Sequence, residues 1–376
     1  MTQVLRNVLI IGGGFSGMAA ALELSRIGVA VDLVELDPSW RPYGAGISLG
    51  GAALRALARL GVLEDFLARA HAADGVELRA PHGTPLAMLP TPRLAGPGVP
   101  GGAGVMRPVL AGILADALRR STTRLRLGCS FTALEEEEDG VRVRFTDGST
   151  GKYDLVIGAD GLYSAVRQAV FPDAPKPLYS GQGVWRALLP RLPGIETTTM
   201  WIGPRIKPGV NPVSGTEMYL FITEDRATNA WMEPQGFVAH VRGLLGDFPD
   251  PVLQEIRARL DEKAQIIYRP LEGLLMRGPW HRGRVVLIGD AVHATTPHLA
   301  SGACIGLEDA IVLAEEVGRG GPLTELLARF QARRWERCRM VVENSARLGE
   351  IEKTGGDKAE HARIMRESLH ALAEPI

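Results

Sequence analysis

Three stretches of this 376-residue chain hold residue types spaced for gripping phosphates and sugar hydroxyls. The first is Gly12-Gly13-Gly14-Phe15-Ser16-Gly17. The second runs from Gly158 through Asp160, Gly161 and Ser164 to Arg167, and the third opens at Gly289-Asp290 and closes at Glu308-Asp309-Ala310. In the first, a short β-branched run leads into the glycines and an apolar-periodic segment leaves them, the context in which such a loop cradles a dinucleotide. Gly12 permits a tight turn, Gly14 lets a pyrophosphate approach the backbone, and Gly17 lets helix pack closely on strand. The helix start offers free N–H groups and the positive end of its dipole to phosphates. Glu35, at the end of the next strand, places a carboxylate where it can accept from two ribose hydroxyls.

The first motif alone does not choose between FAD and NAD; the later two do. Asp160 and Gly161 sit in a turn after a strand, where the aspartate can order the glycine-rich loop and Ser164 can cap the following helix. Asp290 ends another strand and can bind ribityl hydroxyls, which NAD lacks. Ser301-Gly302-Ala303 opens a long helix whose backbone N–H groups suit the negative charge that builds at flavin N1/O2 on reduction. The pattern therefore predicts FAD.

The elements that must position these residues follow from periodicity. Residues 7–11, 29–35, 153–158 and 284–288 read as buried parallel strands, and 16–27, 50–70, 109–120 and 302–317 as helices. Residues 81–104 are rich in Pro and Gly and read as loop or irregular hairpins. Two antiparallel strands are expected at 125–135 and 141–146, turned by the acidic EEEEDG stretch as a solvated tip. Between 171 and 278 the alternating runs 184–189, 197–202, 218–223 and 228–232 predict an antiparallel sheet, joined by helices at 237–245 and 252–261 and a strand at 264–269. Beyond Pro322 the chain is helical and charge-laced. The expected fold class is α/β: a Rossmann-like FAD-binding domain formed by residues 1–171 and 279–376, with an interleaved antiparallel-sheet substrate domain at 172–278 and C-terminal helices.

The bulk composition fits a two-domain enzyme. A net charge of −1 argues against a nucleic-acid partner, which leaves a basic excess. The three cysteines, Cys129, Cys304 and Cys338, have neither disulfide-framework nor zinc spacing. No metal is expected. No apolar run approaches the ~20 residues of a membrane span, and the apolar start flows into the glycine loop rather than a signal sequence. A cytoplasmic location and a monomer or homodimer are the expectations.

With these motifs in this order, the chain resembles the single-component, group A flavoprotein monooxygenases typified by para-hydroxybenzoate hydroxylase. That resemblance implies that Gly12, Gly14, Ser16, Gly17, Glu35 and Leu36 bind the ADP half of FAD, with Phe131 meeting the adenine. Ala45 and Gly46, in the Gly44–Ile47 segment, would run beside the flavin. Arg107, at a helix start, would contact FAD, as would Asp160, Asp290 and the backbone of Gly302, Ala303 and Cys304. One departure stands out. The family pattern after the Gly-Asp pair reads Pro-x-x-Gly-Gln-Gly, and here it is Pro297-His298-Leu299-Ala300-Ser301-Gly302.

The resemblance further implies reduction of FAD by NADH or NADPH, formation of a C4a-hydroperoxide with O2, and transfer of one oxygen to a small aromatic or heteroaromatic substrate. No second GxGxxG occurs, so the reductant would bind transiently. Epoxidation, Baeyer–Villiger oxygenation and reduction are the alternatives within the scaffold, and a non-catalytic flavin-binding protein is the alternative outside it. His298, beside Pro297, is the leading candidate for a polar catalytic group, with His293 second. Arg186 is a substrate candidate whose neighbour Trp185 should point to the opposite face. Arg205, Tyr219 and Trp231 are further candidates on the central sheet.

Overall fold

The computed structural model describes residues 5–40, 44–203 and 206–376. Five short apolar runs form a parallel sheet in the order Val285–Leu287, Leu155–Gly158, Asn7–Ile11, Ala30–Glu35 and Arg124–Leu127, with His281–Arg282 antiparallel at one edge. The strands Leu155–Gly158 and Val285–Leu287 are buried throughout, as expected where both faces of a parallel sheet are covered. Helices Phe15–Arg26, Arg107–Arg119 and Gly302–Arg319 share one apolar core with these strands. A three-stranded meander, Phe131–Glu137, Gly140–Phe145 and Thr150–Tyr153, adds Val141, Val143 and Phe145 to that core.

The stretch expected as one strand at 125–135 is two. Gly128 takes a positive φ of 66°, a conformation that glycine adopts without steric cost. The chain turns there, so Arg124–Leu127 extends the parallel sheet and Phe131–Glu137 pairs with the meander. Likewise the helix expected over 50–70 breaks at Gly61 (φ 70°) into Gly51–Arg59 and Leu63–Leu67.

The second large sheet has seven strands in the order Ile266–Gly273, Leu178–Pro190, Glu217–Asp225, Lys207–Pro212, Thr198–Trp201, Val76–Arg79 and Pro85–Leu89. Two of its strands thus come from well before residue 172. Pro85–Leu89 is an exposed edge strand, where proline costs no ladder hydrogen bond; it lies in the stretch expected as loop or irregular hairpins and forms an irregular hairpin with Val76–Arg79. Residues 228–232 form no strand.

Register assigns the faces of this sheet. Trp185 pairs with Ile222 and Ala187 with Leu220, and all four bury against helices Phe237–Gly246 and Pro251–Arg259. Arg186 pairs with Phe221, Leu188 with Tyr219, and Tyr219 with Asn211, so these side chains occupy the opposite face. That face meets a small sheet of Gly46–Gly50, Gly102–Met106 and His71–Ala73. The backbones come so close that a Cβ on Gly104 would lie 2.1 Å from the Pro212 carbonyl oxygen. Among the described residues no helix is long and apolar enough to cross a membrane.

Candidate active site

The three motifs converge because each follows a parallel strand, and those strands are neighbours. Gly12 N donates to Val34 O (2.9 Å), Ala159 N to Ile11 O (2.8 Å) and Ile288 N to Gly158 O (3.0 Å). The motifs therefore line one cleft at the carboxyl edge of the sheet, where ligands bind in open α/β sheets. The glycines do different jobs there. Gly12 has φ 109°, and a Cβ on it would sit 2.4 Å from Ala159 O; a Cβ on Gly17 would sit 2.0 Å from Gly12 O. A Cβ on Gly14 would meet nothing within 4 Å. Helix Phe15–Arg26 starts at Gly14 with no side-chain cap, so its first-turn N–H groups face this open approach, as a pyrophosphate requires. Glu35 accepts from Gly13 N (2.7 Å) and Asp37 N (2.8 Å), which holds its carboxylate at the loop. The Leu36 side chain is exposed, and Phe131 is half-buried at the start of the meander. Ser16 lies where helix Phe15–Arg26 crosses Gly289 and Gly306; a Cβ on either glycine would come within 2.4 Å of the Ser16 hydroxyl.

Asp160 accepts from Ser164 Oγ and Val166 N, and Ser164 Oγ accepts from Arg167 N (2.8 Å), capping helix Ala165–Val170. Buried Arg167 donates to Ala291 O and Leu162 O, both at 2.7 Å. It thereby ties the second motif to the third. In the third, Gly289 (φ 60°) donates its N–H to Asp309 Oδ2 at 2.9 Å. The same oxygen lies 2.5 Å from His293 Nε2, while Asp309 Oδ1 accepts from Arg334 Nε at 2.8 Å. Arg334 Nη2 also reaches Glu308 (3.0 Å), which Arg337 clamps from the other side. Burial would push the His293 pKa down, but the Asp309 carboxylate lifts it well above the usual value. Burial would likewise raise Asp309, yet His293, Arg334 and the Gly289 N–H hold it at about 2. His293 is thus locked behind the turn and does not face the cleft. His293, Asp309 and Cys338 stand close enough to suggest metal ligands, but the Arg334 guanidinium already fills the cation position. The signal for this cluster was Glu308-Asp309 inside an otherwise apolar helix; its partners on helix Leu323–Thr354 carried none.

Asp290 itself opens onto the cleft. The dense protein around it raises its carboxyl pKa, and His293 and Arg107 pull it back. Across from it, Arg107 donates its backbone N–H to Ala45 O (3.2 Å), and its side chain fills the space over Gly44, where a Cβ would meet Arg107 Cδ at 2.6 Å. Burial lowers the Arg107 pKa, with Asp290 and Tyr219 opposing. Tyr219 leans over Gly46, where a Cβ would lie 2.0 Å from its ring. Its hydroxyl is 2.8 Å from Ser48 Oγ, which also accepts from Asn211 Nδ2 at 2.7 Å. Arg186, on the same sheet face, has no hydrogen-bond or ion-pair partner among the described residues, and burial pushes its pKa down to about 10. The guanidinium of Arg107 is equally unpaired among the described residues. The donors, the open phosphate approach and the Asp290 carboxylate together fit an FAD molecule laid along the cleft.

Residues 6–345, nearly the whole chain, match the family model described as an FAD binding domain. The chain belongs to the FAD-binding group A aromatic monooxygenases. It is 34% identical over 356 residues to 2-heptyl-3-hydroxy-4(1H)-quinolone synthase of Pseudomonas aeruginosa, covering 92% of this chain and 90% of that one. It is 32% identical over 360 residues to aurachin C monooxygenase/isomerase of Stigmatella aurantiaca, covering 92% and 89%. The structure of Klebsiella pneumoniae HpxO complexed with FAD and uric acid superposes with a TM-score of 0.81 at 25% identity, covering 98% of this chain and 93% of that one.

This monooxygenase departs from the family's Gly-Gln at Ala300 and Ser301. Ala300 adopts the left-handed conformation (φ 49°, ψ 29°) that favours glycine, at a cost of about 1–2 kcal/mol. Ser301 Oγ donates to Leu299 O at 2.7 Å, so its hydroxyl is used within the loop. Pro297 and Ala300 are exposed, Gly302 and Ala303 half-exposed, and helix Gly302–Arg319 starts without a side-chain cap. Cys304 is buried, which raises its pKa well above the usual thiol value and makes it a packing residue. His298 lies against helix Leu323–Thr354: its Nδ1 is 3.0 Å from Thr296 Oγ1, and its Nε2 is 3.7 Å from Glu352 Oε2. Burial lowers its pKa, against the Glu352 carboxylate that raises it, and so favours the neutral imidazole. Trp231 is 80% exposed on an irregular segment and is not on the sheet, because residues 228–232 find no strand partner. Arg205 lies outside the described residues.

Proposed function

We propose that this enzyme hydroxylates a planar heteroaromatic compound held between the FAD cleft and the sheet face bearing Arg186, Leu188, Tyr219 and Phe221. The observation that carries the reading is the meeting of two surfaces: the Asp290 carboxylate and the Arg107 guanidinium, which has no hydrogen-bond partner among the described residues, stand opposite the sheet face bearing Arg186 and Tyr219, while the other face packs on helices Phe237–Gly246 and Pro251–Arg259. Bound here, FAD would supply the redox chemistry that activates O2 with electrons from NADH or NADPH, and one oxygen atom of O2 would pass to the ring. The protein's part is to fix the ring, exclude water and handle protons. Tyr219, held by Ser48 with Asn211 behind it, offers a fixed wall. Neutral His298 can accept a proton or donate a hydrogen bond near the loop that follows Asp290. The relatives named for a 4(1H)-quinolone and the neighbour bound to uric acid support a nitrogen heterocycle. The need for NAD(P)H and the three free, buried cysteines support a cytoplasmic setting.

The test is a screen of quinolones, hydroxypyridines, purines and hydroxybenzoates against the yellow FAD-loaded protein. The expected result is ring-stimulated NAD(P)H oxidation with a product heavier by one oxygen. Oxidation that no ring stimulates, or that consumes no O2, would overturn the reading.

A further inference from the structure

A cavity of about 160 Å³ lies where helix Leu323–Thr354 crosses the loop after Asp290, lined in part by Gln182, Thr296, His298, Gly349 and Lys353. Two of these side chains end in buried polar atoms with no partner among the described residues: Gln182 Oε1 and His298 Nε2. Neither is free to turn. Gln182 Nε2 donates to Asp225 Oδ1 at 3.0 Å, which directs the amide oxygen away from that carboxylate. His298 Nδ1 faces the Thr296 hydroxyl, and the Glu352 carboxylate near Nε2 favours a proton on that nitrogen. Thr296 then donates to Nδ1. Glu352 is itself held by Lys207 (2.6 Å) and His361 (2.9 Å), too far from Nε2 to hydrogen-bond it. The cavity therefore presents one fixed acceptor and one fixed donor.

Gly349 keeps the two atoms accessible. A Cβ there would lie 2.8 Å from His298 Cε1 and 3.0 Å from Gln182 Oε1. Glycine in a helix interior is disfavoured relative to alanine, and Gly349 sits well inside a 32-residue helix. The space it preserves is where both unpaired atoms converge. Gln182 also shares the cleft-facing side of strand Leu178–Pro190 with Arg186, since Gln182 pairs with Asp225 and Arg186 with Phe221. The cavity is thus the end of the same surface that faces the FAD cleft.

We propose that this cavity is the polar end of the substrate site, and that it takes a heteroaromatic ring carrying an N–H donor and a carbonyl acceptor on adjacent ring atoms: a cyclic amide in its keto form. The ring N–H is given to Gln182 Oε1, and the ring carbonyl accepts from His298 Nε2–H. The inference rests on the hydroxylase reading and narrows its substrate to rings with this pair of groups.

The test titrates FAD-loaded enzyme with 2(1H)-quinolone, with 1-methyl-2-quinolone, which lacks the donor, and with 2-methoxyquinoline, which lacks both groups, following the flavin absorbance. Wild-type enzyme should bind the first at least tenfold more tightly than either of the others. Gln182→Met should abolish the preference over the N-methyl compound while leaving the affinity for that compound unchanged. Gly349→Ala should weaken 2(1H)-quinolone binding by a similar factor, with FAD content as the check on folding. Equal binding of all three probes by the wild type would mean that the cavity holds bridging water, and would overturn the proposal. So would a Gln182→Met variant that weakens every probe alike. If none of the probes binds but a hydroxybenzoate is hydroxylated with O2 consumption, the substrate class falls and the hydroxylase reading stands. If no ring of any kind stimulates oxidation, both fall.

Discussion

Exchanging Asp309 for asparagine removes one charge from the buried cluster behind the Gly289-Asp290 turn while keeping the shape of the side chain. The carboxylate accepts from Gly289 N, His293 Nε2 and Arg334 Nε. An asparagine amide must aim its NH2 at one of those donors, so at least one contact becomes donor against donor. Removing one partner of a buried ion pair costs about 3–5 kcal/mol, and the low end applies because Arg334 keeps Glu308. With an unfolding entropy of about 2.1 cal/mol/K per residue over 376 residues, roughly 3 kcal/mol lowers Tm by about 4 °C. The difference should also depend on pH. Asp309 is held down at about 2, so its contribution is present above the usual carboxylate value and is lost as pH falls toward 2. His293 is held up, so its contribution is complete below about 6.5 and is lost as pH rises through its raised folded value. The gap between wild type and variant is therefore widest between about pH 4 and 6.5 and narrows on either side. Calorimetric Tm values for both proteins at pH 5.5, 7 and 9 measure it. A variant within 1 °C of wild type at pH 5.5, or a gap that is flat with pH, would refute the argument.

The remaining predictions concern the cleft. Asp290→Ala should weaken FAD binding by about 1–3 kcal/mol, or roughly 5- to 150-fold, read from flavin fluorescence titration; unchanged affinity would remove its ribityl role. Gly14→Ala should leave the Tm of the FAD-free protein unchanged, because its Cβ meets nothing, yet lower FAD affinity. Gly17→Ala should lower both, and equal effects from the two would mean that the pyrophosphate does not approach at Gly14. Gly46→Ala drives a Cβ into the Tyr219 ring, an overpacking worth about 1–3 kcal/mol. The substrate KM should rise, and an unchanged KM would place Tyr219 outside the substrate wall. His298→Ala should raise the hydrogen peroxide released per NAD(P)H consumed, and a wild-type ratio would take His298 out of the site.

The cleft formed by the three motifs was legible because each motif is local. A tight strand–turn–helix needs glycine at Gly12 and Gly17, and the carboxylates of Glu35, Asp160 and Asp290 sit at strand ends fixed by short apolar runs. Arg186 and Trp185 were assigned opposite faces from alternation alone, and the register agrees. What stayed hidden depended on contacts between distant segments. Asp309 and Arg334 are 25 residues apart on two helices, and nothing in either helix's periodicity names the other as partner. The same ignorance kept His293 as the second candidate after His298, although one is sealed behind the turn and the other opens on a cavity.

Sequence by itself determined the cofactor, since motif chemistry and order are properties of neighbouring residues. Tertiary structure decided which strands joined the second sheet. Val76–Arg79 pairs in parallel with Thr198–Trp201 across more than a hundred residues, whereas residues 228–232, with a strand-like alternation, pair with nothing. Strand pairing is settled by which edge is free and which face is covered, and those are properties of the folded chain.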